Sequence, residues 1–353
     1  MGLYDSWLHK AQIELDTTSG GVEINTTQVN FPVLIRITSS EINFDQVDTN
    51  GEDIRFTNIL EDTDLKFEIE RWDNGSSLGE IWVRVPFVFH QAKTSIVMHW
   101  GKTGQTTQSS PGDTFVIADG FDAVWHLDEN GNNTTDGYKD ATNNNSHATG
   151  ANIDTGDDVA VQIGLGHDID GLNEYFNVPA GSAEIDLANK SFSLSVWAKR
   201  NTTGNDNFIM SQGTFATRDG LHFGFRDNDK FTFAFFADDL DTAADTTTAL
   251  NHWFATYNSS DKKQIIYKNG VEVASRTAGG DFTGTGAFDI GRREMGGDAY
   301  WPGQVDEAQV HNVLRSPDFI KLCFQNQQTT DTLVTFTSIT KKRKRTALAG
   351  GFQ

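Results

Sequence analysis

Short runs that alternate apolar with polar residues recur along this chain, and they leave little room for anything but β structure. Residues 31–37 (Phe31-Pro32-Val33-Leu34-Ile35-Arg36-Ile37), 65–70, 81–85 and 95–100 carry the period-2 pattern of strands, as do residues 192–198, 231–235 and 264–267. Turn signals separate them. Asn269-Gly270, between two such runs, predicts a tight hairpin, because both central positions of that turn need positive φ. Helical periodicity is confined to residues 316–325, where Ser316 stands as an N-cap and Pro317 as the first helical residue. The expectation is an all-β chain of two antiparallel β-sandwich domains.

The 353 residues suffice for two domains. Composition turns polar and rich in Gly, Ser and Pro at residues 104–113, which sets the expected boundaries at 1–112, 113–329 and a tail of 330–353. Within the tail, residues 333–339 have strand character and Lys341-Lys342-Arg343-Lys344-Arg345 is the only basic block. That block reads as a solvated tail in contact with the acidic body, an anionic membrane surface or a membrane-associated assembly, with a nuclear address or nucleic-acid patch as the lesser alternative. The net charge of −21 argues against a nucleic-acid partner, since phosphate binding needs a basic footprint. The single cysteine, Cys323, excludes an intrachain disulfide and lies among apolar residues, as a buried inert thiol would. Stability must then come from core packing, for which 8 Trp and 25 Phe supply the apolar surface. No run is long enough for a transmembrane helix, and no secretory signal is visible at the start, although Met1-Gly2-Leu3-Tyr4-Asp5-Ser6 fits the short myristoylation pattern.

Trp7, Phe31-Pro32-Val33-Leu34, Asp53-Ile54-Arg55-Phe56, Phe67-Glu68-Ile69-Glu70-Arg71-Trp72, Ile81-Trp82-Val83-Arg84-Val85-Pro86 and His99-Trp100-Gly101-Lys102 follow one another in the first part of the chain. In this order they resemble the domain family of unknown function DUF2341, over about residues 3–115. The resemblance implies an exported setting (extracellular, cell-surface or periplasmic) and no activity. Trp125-His126-Leu127-Asp128-Glu129, residues 140–150, residues 169–178, residues 192–199 and residues 253–257 come next. They lead to Asn269-Gly270-Val271, Ile290-Gly291-Arg292 and the stretch from Gly303 to Ser316. That ordered set resembles the laminin-G-like (LamG) branch of the concanavalin A-like jelly rolls, over about residues 119–327.

Folds of this type also house retaining glucanases, whose motif places two acids on one strand. Glu184-Ile185-Asp186-Leu187 begins such a motif, but Ala188 and Asn189 stand where the second glutamate belongs. The chain also lacks a Gly-x-Ser-x-Gly elbow, a His-Glu-x-x-His motif and a phosphate-cradling glycine loop. Asp128-Glu129-Asn130-Gly131-Asn132 spaces its acids and amides like half of an EF-hand loop. The sixth and twelfth positions are Asn133 and Lys139, so it reads as a solvated turn. The jelly-roll resemblance implies one calcium ion stapling the first and last strands. Asp170 and Asp306 are its candidate ligands, with Asp168 and Glu307 beside them; hydrogen bonding to nearby backbone is the competing role.

Sugar recognition asks for flat aromatic faces and planar hydrogen-bonding groups. Tyr300 and Trp301, beside Arg292, Arg293 and Asp298, form the expected ligand-binding set, with Trp301 alternatively plugging the core. The acidic loop of residues 238–241 is the second choice. The expected function is non-catalytic recognition of a glycan or a surface protein through the LamG-like part, with the DUF2341-like part as spacer or assembly module. The alternatives are a carbohydrate-active enzyme and a structural subunit of a surface or membrane-associated assembly.

Overall fold

A computed structural model describes residues 2–181, 185–293 and 299–341. The chain divides into two compact units, Met1–Ser110 with Asp331–Gln353, and Pro111–Thr330. Both are built from antiparallel sheets, as the alternating pattern requires.

In the first unit a five-stranded sheet has the order Val334–Lys341, His9–Asp16, Lys93–Trp100, Arg55–Asn58, Asp64–Leu65. A three-stranded sheet has the order Gln28–Thr38, Leu78–Val88, Phe67–Asp73. His9–Asp16 shows why its residues form a strand: Ala11, Ile13 and Leu15 are fully buried while the residues between them are half-exposed. The sheets meet through side chains such as Phe56 and Phe67, whose rings lie 5.4 Å apart.

The buried Asp53 ties the quoted sequence blocks of this unit together. Its Oδ1 accepts from the backbone of Asp48 at 2.9 Å. Its Oδ2 accepts from Gly101 N at 2.7 Å and Lys102 N at 2.8 Å. Its carbonyl accepts from Trp7 Nε1 at 2.9 Å. Arg55 donates to the carbonyls of Glu52 and Thr106, and His99 Nε2 lies 3.0 Å from Thr57 Oγ1.

The sequence reading set residues 330–353 apart as a tail. In the structure Val334–Lys341 pairs along His9–Asp16, from Leu15↔Val334 to His9↔Lys341, and Leu333 is fully buried. An otherwise open strand edge draws this segment into the first unit. Of the basic block only Lys341 is described; Lys342 to Arg345 lie outside the described residues.

In the second unit one sheet has the order Asp158–Ala160, Leu165–Asp170, Pro302–His311, Phe192–Arg200, Asn251–Asn258, Lys263–Lys268, Val271–Thr277. Phe121–Trp125 pairs with the second half of Pro302–His311. The facing sheet has the order Asp239–Ala244, Lys230–Phe235, Leu221–Phe225, Asn207–Gln212, Phe288–Ile290, Tyr175–Val178, Thr149–Ala151. Aromatic rings fill the core between them, with Phe231 stacked on Trp253 at 3.8 Å and Phe192, Phe233, Phe235, Tyr257 and Phe282 clustered nearby. The Asn269-Gly270 turn has φ of 53° and 77°, as its hairpin demands. The helix Pro317–Gln327 is capped by Ser316 Oγ, which accepts from Phe319 N. Cys323 is buried in this helix, and desolvation pushes its thiol up to about 12, which fits an inert role.

Deleting residues 331–353 should unmake the edge of the first unit. Losing the fully buried Leu333 alone costs about 1.5–3 kcal/mol. Hydrogen exchange should show lost protection along His9–Asp16, with Phe192–Arg200 unchanged. Equal protection of His9–Asp16 in the truncated chain would contradict this account.

Candidate functional site

In the second unit, three connections cross between the sheets at one end. Leu165–Asp170 leads to Tyr175–Val178, Phe192–Arg200 leads to Asn207–Gln212, and Phe288–Ile290 leads through residues 291–301 to Pro302–His311. Register brings their ends together, since Asp170 is opposite Pro302 and Arg200 opposite Gly303. Gly303 permits that approach, because a Cβ there would lie 2.0 Å from Lys199 O. Loops gathered at a sandwich end are where such folds carry binding residues.

Here the surface forms an open recess of ≈ 600 Å³. Its polar lining includes Asp170, Thr202, Asp206, Asn207, Arg293 and Tyr300. Asn207 is buried; its Nδ2 donates to Tyr300 O at 3.1 Å, while its Oδ1 has no hydrogen-bond partner among the described residues. Arg293 lays its guanidinium 4.7 Å from the Phe208 ring centroid, with Nη1 at 3.6 Å from Asp206 Oδ2. Burial pulls the Arg293 pKa below its ordinary value, and Asp206 opposes that shift.

Of the expected ligand-binding set, Tyr300 and Arg293 line the recess. Arg292 faces elsewhere: it pairs with Asp289 at 2.9 Å and covers the Tyr175 ring at 3.7 Å. Asp298 lies outside the described residues. Trp301, expected to offer an exposed stacking face, is fully buried. Alternation turns it inward next to Tyr300, where it stacks on Phe225 at 6.2 Å and donates from Nε1 to Gln304 O. Thr202, Asp206 and Asn207 were missed. Their signal was the polar run Asn201-Thr202-Thr203-Gly204-Asn205-Asp206-Asn207 between two apolar strands.

The four expected calcium ligands do not converge. Asp170 Oδ1 accepts from Leu172 N and Asn173 N, and Asp168 Oδ1 accepts from Asn201 Nδ2. Asp306 stands four residues along the strand from Pro302, the partner of Asp170, which is about 13 Å. A register shift opposite residues 195–197, with Glu307 at φ 51°, turns both Asp306 and Glu307 away from the core that Val305, Ala308 and Val310 enter. Asp306 Oδ2 accepts from Gln162 N and Ile163 N, each at 2.9 Å. Glu307 Oε1 meets His126 Nδ1 at 2.6 Å. These residues do not fit one ion shared by Asp170 and Asp306, and they hold backbone and side chains instead. Burial, then the neighbouring Glu307 carboxylate, pushes the Asp306 carboxyl well above the ordinary range.

The other acidic candidates are also engaged. Asp238 is paired with Arg276 and Arg218, and Asp239 and Asp241 with Arg226. Asp186 pairs with Lys190, and Glu184 lies outside the described residues. Glu129 Oε1 accepts from Lys139 N, and Gly131 N donates to Asp158, so the EF-hand-like loop is tied as a turn.

Two outcomes follow from these positions. Trp301→Ala should cost about 3–5 kcal/mol of stability, as truncation of a buried aromatic does, and denaturant unfolding would show it. Asp306→Ala should lower stability equally in chelator and in millimolar calcium, by about 1–3 kcal/mol for stranding the N–H groups of Gln162 and Ile163. Asp306→Asn keeps an acceptor for them. Because the folded pKa is raised, the wild type should lose stability relative to Asp306→Asn as pH rises above about 4 through that pKa. A calcium-dependent rise in Tm abolished by Asp306→Ala would overturn this reading.

Two family models match parts of the chain. Residues 170–321 match the concanavalin A-like lectin/glucanases superfamily, and residues 50–150 match the domain of unknown function DUF2341, which here begins later and ends beyond the 3–115 of the sequence reading. No curated protein matches the chain. Among solved structures, domain 4 of a GH43 extracellular arabinanase from Geobacillus stearothermophilus, in complex with arabinotriose, is similar at 17% identity and TM-score 0.43, over 57% of this chain and 97% of that one. Trypanosoma rangeli sialidase shares 13% identity at TM-score 0.45, over 75% of this chain and 45% of its own. The binding domain of Paraclostridial Mosquitocidal Protein 1 shares 13% identity at TM-score 0.43, over 60% of this chain and 53% of its own. In chain order, a match to the DUF2341 model is thus followed by a match to the concanavalin A-like lectin/glucanases superfamily model.

Proposed function

We propose that the concanavalin A-like unit is a non-catalytic recognition module that binds a glycan at the recess, at a cell surface or in a periplasm. One observation carries the reading. The recess sets the Asp206–Arg293 pair, the Asn207 amide, Thr202 and the Tyr300 ring on one surface. Hydrogen-bonding groups beside an aromatic ring suit a ligand made of hydroxyls and C–H faces. Asp206 accepts, Arg293 donates, and the half-buried Tyr300 offers ring and hydroxyl, which is the mixture a polyhydroxylated ring needs. Asp170 and Asp206 leave the site with a negative balance against the single Arg293, which favours neutral over anionic sugars.

A glycan array with and without calcium, followed by calorimetry on the best neutral ligand, tests this. Tyr300→Ala and Asp206→Ala should each weaken binding about 10-fold, about 1.4 kcal/mol, with Tm nearly unchanged. Unchanged affinity in both variants would remove the recess from the account. Hydrolysis of the bound polysaccharide, lost in Asp206→Asn, would favour the carbohydrate-active enzyme instead. Binding only to a surface protein would favour the protein partner.

A further inference from the structure

The first unit carries an aromatic face that its core does not use. Val88 is buried, so alternation turns Phe87 and Phe89 outward, where they are 50% and 49% exposed. Their rings stand nearly parallel, 5.8 Å apart at 14°. Val29, 59% exposed, sits opposite Phe87 on the outer strand Gln28–Thr38. Grouped exposed apolar side chains of this size mark an interaction surface.

The surroundings decide what that surface takes. Residues 25–35 and 85–92 contain no Asp, Glu, Lys or Arg, in a chain that is 22% charged with a net charge of −21. What borders the rings is neutral and hydrogen-bonding. Thr27 Oγ1 and His90 Nδ1 lie 2.9 Å apart, and Gln91 Nε2 donates to Asn25 Oδ1 at 3.5 Å. Lys93, next along the chain, is already paired with Glu14 and Asp16, so a charged peptide or an anionic polymer finds little counter-charge here. A lipid surface would dehydrate the surrounding amides, hydroxyl and imidazole without replacing their hydrogen bonds to water. A neutral polysaccharide meets both requirements, with C–H faces for the rings and hydroxyls for the amides, threonine and histidine.

We infer that the Val29, Phe87 and Phe89 face of the first unit is a second glycan-binding surface, which takes a neutral polysaccharide chain. The face is separate in sequence and in unit from the recess, and the inference does not rest on the recess binding anything.

The test uses the full chain in affinity electrophoresis and sedimentation against cellulose, xylan, arabinan and β-1,3-glucan. Polygalacturonate and phosphatidylcholine vesicles serve as comparators. The wild type should be retained by at least one neutral polysaccharide. The double variant Phe87→Ser, Phe89→Ser should lose retention at least 10-fold with Tm preserved, and by the same factor when introduced into the Asp206→Ala background. If the double variant loses its melting transition, Phe89→Ser alone is read instead, with at least a threefold loss expected. Retention by no neutral polysaccharide, or equal retention of wild type and the serine variants, overturns the inference. So does a serine effect confined to self-association in sedimentation or to vesicle binding. Loss in Asp206→Ala alone would uphold the recess and overturn this face.

Discussion

The strand Pro302–His311 is hydrogen-bonded on both sides, by Phe192–Arg200 along one edge and by Leu165–Asp170 and then Phe121–Trp125 along the other. Everything else in the second unit is positioned by how this strand departs from regular pairing. Its bulge lets Val305 and Ala308 both enter the core while two consecutive acids leave it. Asp306 then fastens the backbone of residues 162–163, and Glu307 fastens His126 next to the paired strand Phe121–Trp125. Its first residue, Pro302, is the floor at which the three inter-sheet connections converge, so the recess is a consequence of where this strand begins.

The strands and their antiparallel pairing were legible because alternation is a local property of the sequence and burial follows it, as Ala11, Ile13 and Leu15 show. The helix was legible through its cap, since Ser316 and Pro317 act within one turn. Two of the five expected ligand-binding residues, Tyr300 and Arg293, stand at the recess. The rest depends on phase and register, which composition does not carry. Trp301 differs from Tyr300 by one position, and one position in a strand reverses the face. Asp170 and Asp306 look like partners in a list of acids, but the register separates them by four residues. The strand Val334–Lys341 pairs with residues more than three hundred positions away, and no local pattern names its partner.

The first unit shows a different kind of constraint. Its quoted sequence blocks are distant in the chain, and nothing in their chemistry suggests a reaction. The structure gives them a common reason: Asp53 accepts four separate donors when its two oxygens and its carbonyl are taken together. A buried carboxylate held this way is stable only if every donor stays in place. The indole of Trp7 and the turn at Gly101 are therefore fixed together with it. These residues build the unit, and any binding role belongs to surfaces outside that knot.

Charge is largely committed to structure in both units. Most acids of this strongly acidic chain are spent on arginines, backbone N–H groups or turns, as at Asp238, Asp239, Asp168 and Asp306. A general acid or nucleophile needs a carboxyl free to meet substrate and paired with a second one at a set distance. A recognition surface needs hydrogen-bonding groups and apolar faces side by side. The recess sets Asp206, Arg293 and Tyr300 on one surface. The same economy explains why residues 201–206 of the polar run have no regular structure. Its side chains complete a surface that the two sheets, whose inward residues are committed to the aromatic core, leave open.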